Sequence, residues 1–371
     1  MPERVLRALS RPTIDHRGPE FAALTAKVLA QAKRVFQTDQ PVIVYPSSGT
    51  GAWEAALANC LSPGDLVLAF ETGHFATLWR DLATGLGLQV DFVPGDWRHG
   101  VDPQVVGERL AADRAHAIAA VTVVHNETST GVRSRVPEIR AAMDRAGHPA
   151  LLMVDTVSSL ACMDYRHDEW GVDVAVAASQ KGLMLPPGLG FNAVSDKALA
   201  AAGRAAMPRS YWNWGPVLAA NQRGFYPYTP ATNMFFGLSE ALDLIEEEGL
   251  ARVLTRHDRL AGATRAAVRA WGLEVVCADP REYSSSVTGV LLPDGVDGAH
   301  VNRVILDRYD ISLGIGLGQL AGRVFRIGHL GHLNEATLAG VLAGVELGLQ
   351  AAGVPVKPGG VTEALAVLAP R

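Results

Sequence analysis

The sequence predicts an α/β protein: a large domain built on a mainly parallel sheet with helices on both faces, followed by a smaller C-terminal α+β domain. Two patterns lead there. Short runs of Val, Ile, Leu and Ala recur through the first half of the chain without polar alternation, as strands covered on both faces require. Helix-length segments separate most of these runs, and repeated strand–helix order is the mark of an α/β sheet. Composition agrees: of 371 residues 48% are hydrophobic and 19% charged, enough apolar material for a sizeable core and a length that suits about two domains.

Taken in order, residues 2–9 predict a first amphipathic helix. After Pro19, Phe21, Leu24, Val28, Leu29, Ala32, Val35 and Phe36 keep the period of a second. Strand candidates follow at 42–45, 66–70, 90–93, 117–124, 151–154 and 174–177, with helices expected at 52–61, 75–86, 103–114 and 136–145. From about Glu246 the pattern changes. A helical stretch over 249–271 precedes strand candidates at 273–277 and 286–292, and Gly-rich loop then mixes with both element types. The expected organisation is an N-terminal helical segment (1–15), a large domain (16–248) and a small domain (249–371). Residues 336–356 are nearly all apolar, with Gly340, Gly344 and Gly348 at small-xxx-small spacing. Glu346 within the stretch and the helix start Asn334-Glu335 make it a closely packed helix of a soluble protein rather than a membrane span.

Charge and cysteine usage narrow the function classes. A formal charge of −5, with no acidic run longer than Glu246-Glu247-Glu248, leaves no footprint for a polyanion and excludes nucleic acid as an expected partner. Cys60, Cys162 and Cys277 are odd in number, far apart and beside apolar stretches, as reduced core thiols are. The first ten residues lack the apolar core of a signal peptide. A cytoplasmic protein is expected.

In a doubly wound sheet, ligands bind beyond the carboxyl ends of the strands. The run at 42–45 is followed by Pro46-Ser47-Ser48-Gly49-Thr50-Gly51 and a helix, so free amides and the positive end of the helix dipole suit a phosphate. A tight turn with a Ser/Thr cap is the other reading. The run at 151–154 ends in Asp155, a carboxylate that is costly there unless a cation or donor meets it. The next run ends in Ser179-Gln180-Lys181, where desolvation lowers a lysine pKa and frees a nucleophilic amine. A buried Asp155–Lys181 ion pair is the alternative. Together a phosphate-ready helix start, a buried Asp and a desolvated Lys are the parts that hold pyridoxal phosphate: Lys for the Schiff base, Asp for the pyridine nitrogen, amides for the phosphate.

The strings Ser47-Ser48-Gly49-Thr50-Gly51, His125-Asn126-Glu127-Thr128-Ser129-Thr130-Gly131, Val154-Asp155-Thr156-Val157-Ser158-Ser159 and Gly190-Phe191-Asn192 after Ser179-Gln180-Lys181 resemble class V aminotransferases of pyridoxal-phosphate fold type I. The likeness spans nearly the whole chain and is greatest to the serine–glyoxylate and alanine–glyoxylate branch. It implies that Lys181 carries the cofactor and then moves the proton between the substrate α-carbon and C4′, with Asp155 on the pyridine nitrogen. It further implies Val157 on one ring face, Phe75 on the other with His74 as second choice, and Thr128 near O3′. Ser48, Gly49, Thr50 and Gln180 correspond to phosphate contacts. Tyr226 and Thr229 correspond to a pair reaching the phosphate from a partner subunit, which implies a homodimer, and Arg326 to the arginine that binds the substrate α-carboxylate. The family's Gly-Pro-Gly-Pro arm has no counterpart in the sequence.

The expected activity is amino transfer from a small L-amino acid, serine first, to glyoxylate, giving glycine by a ping-pong route. Aspartate and alanine are the alternative donors, and Arg17 or Arg209 facing a second carboxylate would favour aspartate. Desulfuration needs a mobile cysteine, which Cys277 after an apolar run does not resemble. A non-catalytic binding protein of the same fold would lack Lys181 or Asp155, and both are present. Gly314-Ile315-Gly316-Leu317-Gly318 reads as a Gly-rich loop near Arg326 rather than a dinucleotide fingerprint. His329, His332 and Glu335 sit in too Gly-rich a run to hold a metal on one helix face. Trp212 and Trp214 read as packing or dimer-surface aromatics.

Overall fold

The computed structural model describes residues 1–369. Its strands are β1 (Val42–Ser47), β2 (Leu66–Phe70), β3 (Gln89–Val93), β4 (Ile118–Val124), β5 (Asn126–Glu127), β6 (Val132–Arg133), β7 (Leu151–Asp155), β8 (Val174–Ala178), β9 (Gly188–Val194), β10 (Glu274–Val275), β11 (Val287–Leu291), β12 (Gly314–Ile315) and β13 (Val324–Gly328). A seven-stranded sheet has the order β1-β9-β8-β7-β4-β2-β3. Strands β8, β7, β4, β2 and β3 pair in parallel, and β9 is antiparallel to both β1 and β8.

Strand β7 shows why these runs are apolar throughout. Leu152 and Val154 join the core on one face, with Phe21, Phe36, Leu68 and Phe235. Leu151 and Met153 join the other, with Trp53, Leu57, Trp79 and Trp214. Successive side chains alternate between faces, and both are covered.

The sequence pattern does not predict β9, since Gly188, Gly190 and Asn192 interrupt its apolar residues. The glycine at 190 is required by packing: a Cβ there would stand 2.7 Å from the Ser48 carbonyl oxygen. The helix Thr232–Glu248 was also not foreseen. It contains Gly237, where a Cβ would meet Leu9 Cδ2 at 2.6 Å, so the glycine that weakens the helical pattern lets Glu3–Leu9 lie against it.

The C-terminal part holds an antiparallel sheet in the order β10-β11-β13-β12. Leu260, Trp271, Phe325, Leu338 and Val345 belong to its separate core. We propose that the two parts divide at Gly249, whose φ of +85° separates the helices Thr232–Glu248 and Leu250–Ala270. Among the described residues no helix is long and apolar enough to cross a membrane.

The final apolar stretch is the helix Glu335–Ala351. Its Glu346 accepts from Trp271 Nε1 at 2.7 Å and from the Gly359 amide at 3.0 Å, which explains the charge within it. The glycine stripe is partly a packing seam: Cβ atoms at Gly344 and Gly348 would collide with Ile311 and Ile305, whereas nothing lies near Gly340. Gly348→Ala should therefore destabilise the protein by about 1–3 kcal/mol through overpacking. Gly340→Ala should stabilise it by about 0.5–1 kcal/mol through lost backbone entropy. Denaturant melts of both variants check the opposite signs.

Candidate active site

Asp155 ends β7, flanked in the sheet by Val124 of β4 and Val176 of β8. It is 4% exposed. The Val157 amide donates to Oδ1 at 2.6 Å and Trp53 Nε1 donates to Oδ2 at 3.0 Å. Trp53 lies on the helix Gly49–Cys60 and stacks on Trp79 of the helix His74–Gly85, with centroids 5.7 Å apart and planes 11° from parallel. Burial, with a smaller push from the Glu127 charge, raises the Asp155 pKa to about 7 against the pull of these two donors and of Lys181.

Lys181 follows β8 in a turn that Ser179 staples. Ser179 Oγ donates to the Pro186 carbonyl at 2.7 Å and accepts from the Leu189 amide at 3.1 Å. The next residue, Gly182, has no room for a Cβ, which would collide with the Leu160 carbonyl and stand 2.8 Å from Cys162 Sγ. Burial and then the Arg326 charge push the lysine pKa down, opposed by Asp155 and Cys162. Lys181 forms no ion pair among the described residues. The alternative of an Asp155–Lys181 salt bridge is thereby set aside: the carboxylate is satisfied by N–H donors, and the amine is left available.

The phosphate-suited helix begins at Gly49, earlier than the pattern predicts. Its first bond runs from the Ala52 amide to the Ser48 carbonyl, so the preceding amides have no intrahelical acceptor. Ser48 gives no side-chain cap, which sets aside the capped-turn alternative. Thr50 and Ser48 are exposed at this end. A Cβ at Gly49 would lie 2.8 Å from Val157 Cγ2, which brings the helix start against the residue that follows Asp155 in the turn. Gln180 Oε1 is buried without a hydrogen-bond partner among the described residues.

Glu127 organises the other side. It is fully buried and accepts from the amides of Phe75 at 3.1 Å and Ala76 at 3.0 Å, and from Ser129 Oγ at 2.6 Å. It thus caps the helix that carries Phe75. Thr128 Oγ1 donates to Ser158 Oγ at 2.7 Å. Arg326 reaches across from β13: Nη1 donates to the Thr128 carbonyl at 2.8 Å and Nε to the Ile315 carbonyl at 3.0 Å. The Gly-rich segment does lie beside this arginine, as strand β12 paired with β13, and a Cβ at Gly314 would be 3.0 Å from Arg326 Cβ.

These contacts and charges gather Ser48, Gly49, Thr50, Phe75, Thr128, Asp155, Val157, Gln180, Lys181 and Arg326 around the carboxyl ends of the parallel strands. Tyr226 and Thr229 lie apart. Tyr226 packs on Tyr228 and Phe235 of its own chain, its hydroxyl buried without a partner among the described residues, and Thr229 is exposed. Trp53 and Glu127, which bond Asp155 and the Phe75 amide, are neighbours of these residues that residue types alone do not single out.

Other signals resolve in structural terms. His329 is spent on Thr288 Oγ1 at 2.9 Å and the Ser285 carbonyl at 3.0 Å, and Glu335 pairs with Arg259. Trp212 packs on Tyr45 and on Gly51, while Trp214 is 1% exposed. Arg209 donates to the carbonyls of Ala58, Ala202, Ala205 and Met207. Arg17 is exposed, and Cys277 is buried with its Sγ directed to the Asp279 carbonyl. A groove of about 840 Å³ beside the N-terminal helices holds none of these residues, and its Arg4, Lys27, Glu240 and Asp243 are already in ion pairs.

The family model for aminotransferase class V matches residues 6–321. The chain belongs to that family. It is 48% identical to the serine–glyoxylate aminotransferase of Methylorubrum extorquens, over 97% of this chain and 91% of that protein. It is 45% identical to the L-aspartate–glyoxylate aminotransferase of Paracoccus denitrificans, again over 97% and 91%. The crystal structure of pyridoxamine–pyruvate aminotransferase from Mesorhizobium loti superposes with a TM-score of 0.93 at 30% identity, covering 99% of this chain and 94% of that one. The expected fold type and enzyme class both follow from these matches.

The raised Asp155 pKa makes a stability prediction for unliganded protein. Its folded value of about 7 lies above the ordinary 3.8, so its contribution is fully present below about pH 4 and is lost as pH rises through 7. Asp155→Asn should match the wild type at pH 4 and exceed it by about 2–4 kcal/mol at pH 8. Urea melts at the two pH values measure the difference.

Proposed function

We propose that the chain is a pyridoxal-phosphate-dependent aminotransferase that takes an amino group from L-serine and passes it to glyoxylate, releasing glycine. The observation that carries the proposal is the buried Asp155 and a Lys181 that forms no ion pair among the described residues, at the ends of neighbouring strands beside an uncapped helix start. Each part fits the group. The free amides at Gly49 and Thr50, with the hydroxyls of Ser48 and Thr50 and the side-chain NH2 of Gln180 as further donors, would hold a phosphate. Asp155 would meet the pyridine nitrogen, Val157 and Phe75 would enclose the ring, and Thr128 would stand at its hydroxyl.

When bound, the cofactor supplies an electron sink for the substrate α-carbon. Lys181, with a depressed pKa, provides the amine that attaches it and then the base that carries the proton at that carbon. Arg326, oriented by two carbonyls, keeps the rest of its planar fork for the substrate α-carboxylate. Tyr226 and Thr229 are assigned to a neighbouring subunit's phosphate, so the active form is taken to be a homodimer.

Serine is put first on the 48% identity to a serine–glyoxylate aminotransferase; the Arg209 guanidinium is consumed by main-chain carbonyls, so it lends aspartate no support. The similarity to an aspartate–glyoxylate enzyme keeps aspartate as the second donor to test.

The test is a visible absorption titration of purified protein with L-serine, L-aspartate and L-alanine in turn. Bleaching by serine and recovery with glyoxylate is the expected result; no visible band after adding pyridoxal phosphate overturns the proposal. Lys181→Ala should abolish the covalent band and turnover. Arg326→Lys should raise the donor KM roughly 10–100-fold, the loss expected for a charge-assisted hydrogen bond, while cofactor uptake stays unchanged.

A further inference from the structure

We infer that Trp53 is a positioning residue for the cofactor, its indole N–H holding Asp155 as a carboxylate directed at the pyridine nitrogen. The inference rests on the pyridoxal-phosphate reading above. Among the described residues two donors reach Asp155: the Val157 amide on Oδ1 and Trp53 Nε1 on Oδ2. The first comes from two residues along the chain and belongs to the turn itself. The second comes from a different element and is the one side-chain donor. Each carboxylate oxygen has two acceptor sites, so one donor per oxygen fixes the plane of the group and leaves acceptor capacity for a ring nitrogen.

The helix makes this more than a local bond. Gly49 and Trp53 are four residues apart in Gly49–Cys60 and share a face. Gly49 lies against Val157 and Trp53 bonds Asp155, so a single helical turn meets both the carboxylate and the residue two positions after it. The amides assigned to the phosphate and the donor that sets the carboxylate are thereby held on one rigid piece. Trp53 is 4% exposed and stacked on Trp79, so the indole cannot swing away.

The surrounding charges show what the N–H opposes. Glu127 on β5 faces Asp155 and disfavours its charge; Lys181 after β8 favours it, and is itself faced by Arg326 from β13 and by Cys162. A neutral Asp155 would no longer keep the ring nitrogen protonated. Losing the indole donor therefore weakens the electron sink without touching Lys181, Arg326 or the donor pocket.

The experiment compares holoenzymes of wild type, Trp53→Phe and Trp79→Phe. The first variant keeps a ring against Trp79 and loses the N–H; the second disturbs the same stack and keeps it. In Trp53→Phe the acid limb of kcat, and the pH midpoint of the cofactor's visible absorbance, should rise by about one to two pH units, as for a lost hydrogen bond to an ionised group. At pH 7 kcat should fall about 10-fold, with the donor KM within about 2-fold. Trp79→Phe should leave both midpoints in place.

Unshifted midpoints in Trp53→Phe overturn the inference, as does an equal shift in Trp79→Phe, which would assign the effect to packing. A measurement on wild type stands if the first variant does not fold. One of the seven tryptophan indole N–H resonances should titrate with the same midpoint as the absorbance, and no such resonance overturns the inference. Wild-type protein that takes up no pyridoxal phosphate overturns the cofactor reading as well, an outcome distinct from all of these.

Discussion

The burial of Asp155 is the constraint on which the site depends. An isolated carboxylate at the end of a central, doubly covered strand is unfavourable by several kcal/mol unless donors or cations compensate it. Here the compensation comes from three directions: the Val157 amide in the same turn, the Trp53 indole from the helix Gly49–Cys60, and the nearby Lys181 charge. None of these is a salt bridge. The carboxylate is stabilised enough to exist in the fold and remains poised near neutrality, with its affinity for a further cationic partner intact. A structural ion pair would have spent that affinity within the protein.

Glu127 is a second buried carboxylate, and it does a different task. Among the described residues its donors are amides and a hydroxyl from its own loop and from the start of the helix His74–Gly85. It fixes Phe75 and, through the same loop, the Thr128 carbonyl that orients Arg326. The arginine of the small antiparallel sheet is therefore registered against the large parallel sheet by a main-chain oxygen. Burial lowers the affinity of Arg326 for its proton, and the Glu127 charge opposes that effect. The two halves of the chain meet at a cation whose Nη2 donates to no group among the described residues.

Much of this was legible in the sequence, for reasons that differ by residue. The parallel strands were legible because each is apolar on both faces; β9 was not, because Gly190 had to be small against Ser48 and so broke the run. Asp155 and Lys181 stood out as charged residues closing apolar strands. Arg326 carried no such local signal and was placed by family resemblance alone, as were Phe75 and Thr128. Trp53 was invisible, since its role depends on a helix register that brings position 53 to a strand end 102 residues later. Glu127 was hidden among polar loop residues, where nothing local distinguishes a fully buried carboxylate from a solvated one.

That difference between legible and hidden residues has a physical origin. Asp155 and Lys181 are charged groups that an apolar strand end tolerates only for a reason, so residue type and position reveal them. Residues that hold those groups in place need only present a donor or an acceptor at one point, and many side chains on many elements can do so. Trp53 supplies an N–H and Glu127 supplies acceptors; neither requirement names a residue in advance. The Gly-rich segment beside Arg326 is held in the same undemanding way: Gly318 packs on Trp97 and Gln319 donates to Glu71 at 3.0 Å. Neither contact involves Asp155, whose carboxylate accepts from Val157 and Trp53 alone among the described residues, so the segment beside Arg326 and the carboxylate at the end of β7 are held by separate sets of bonds.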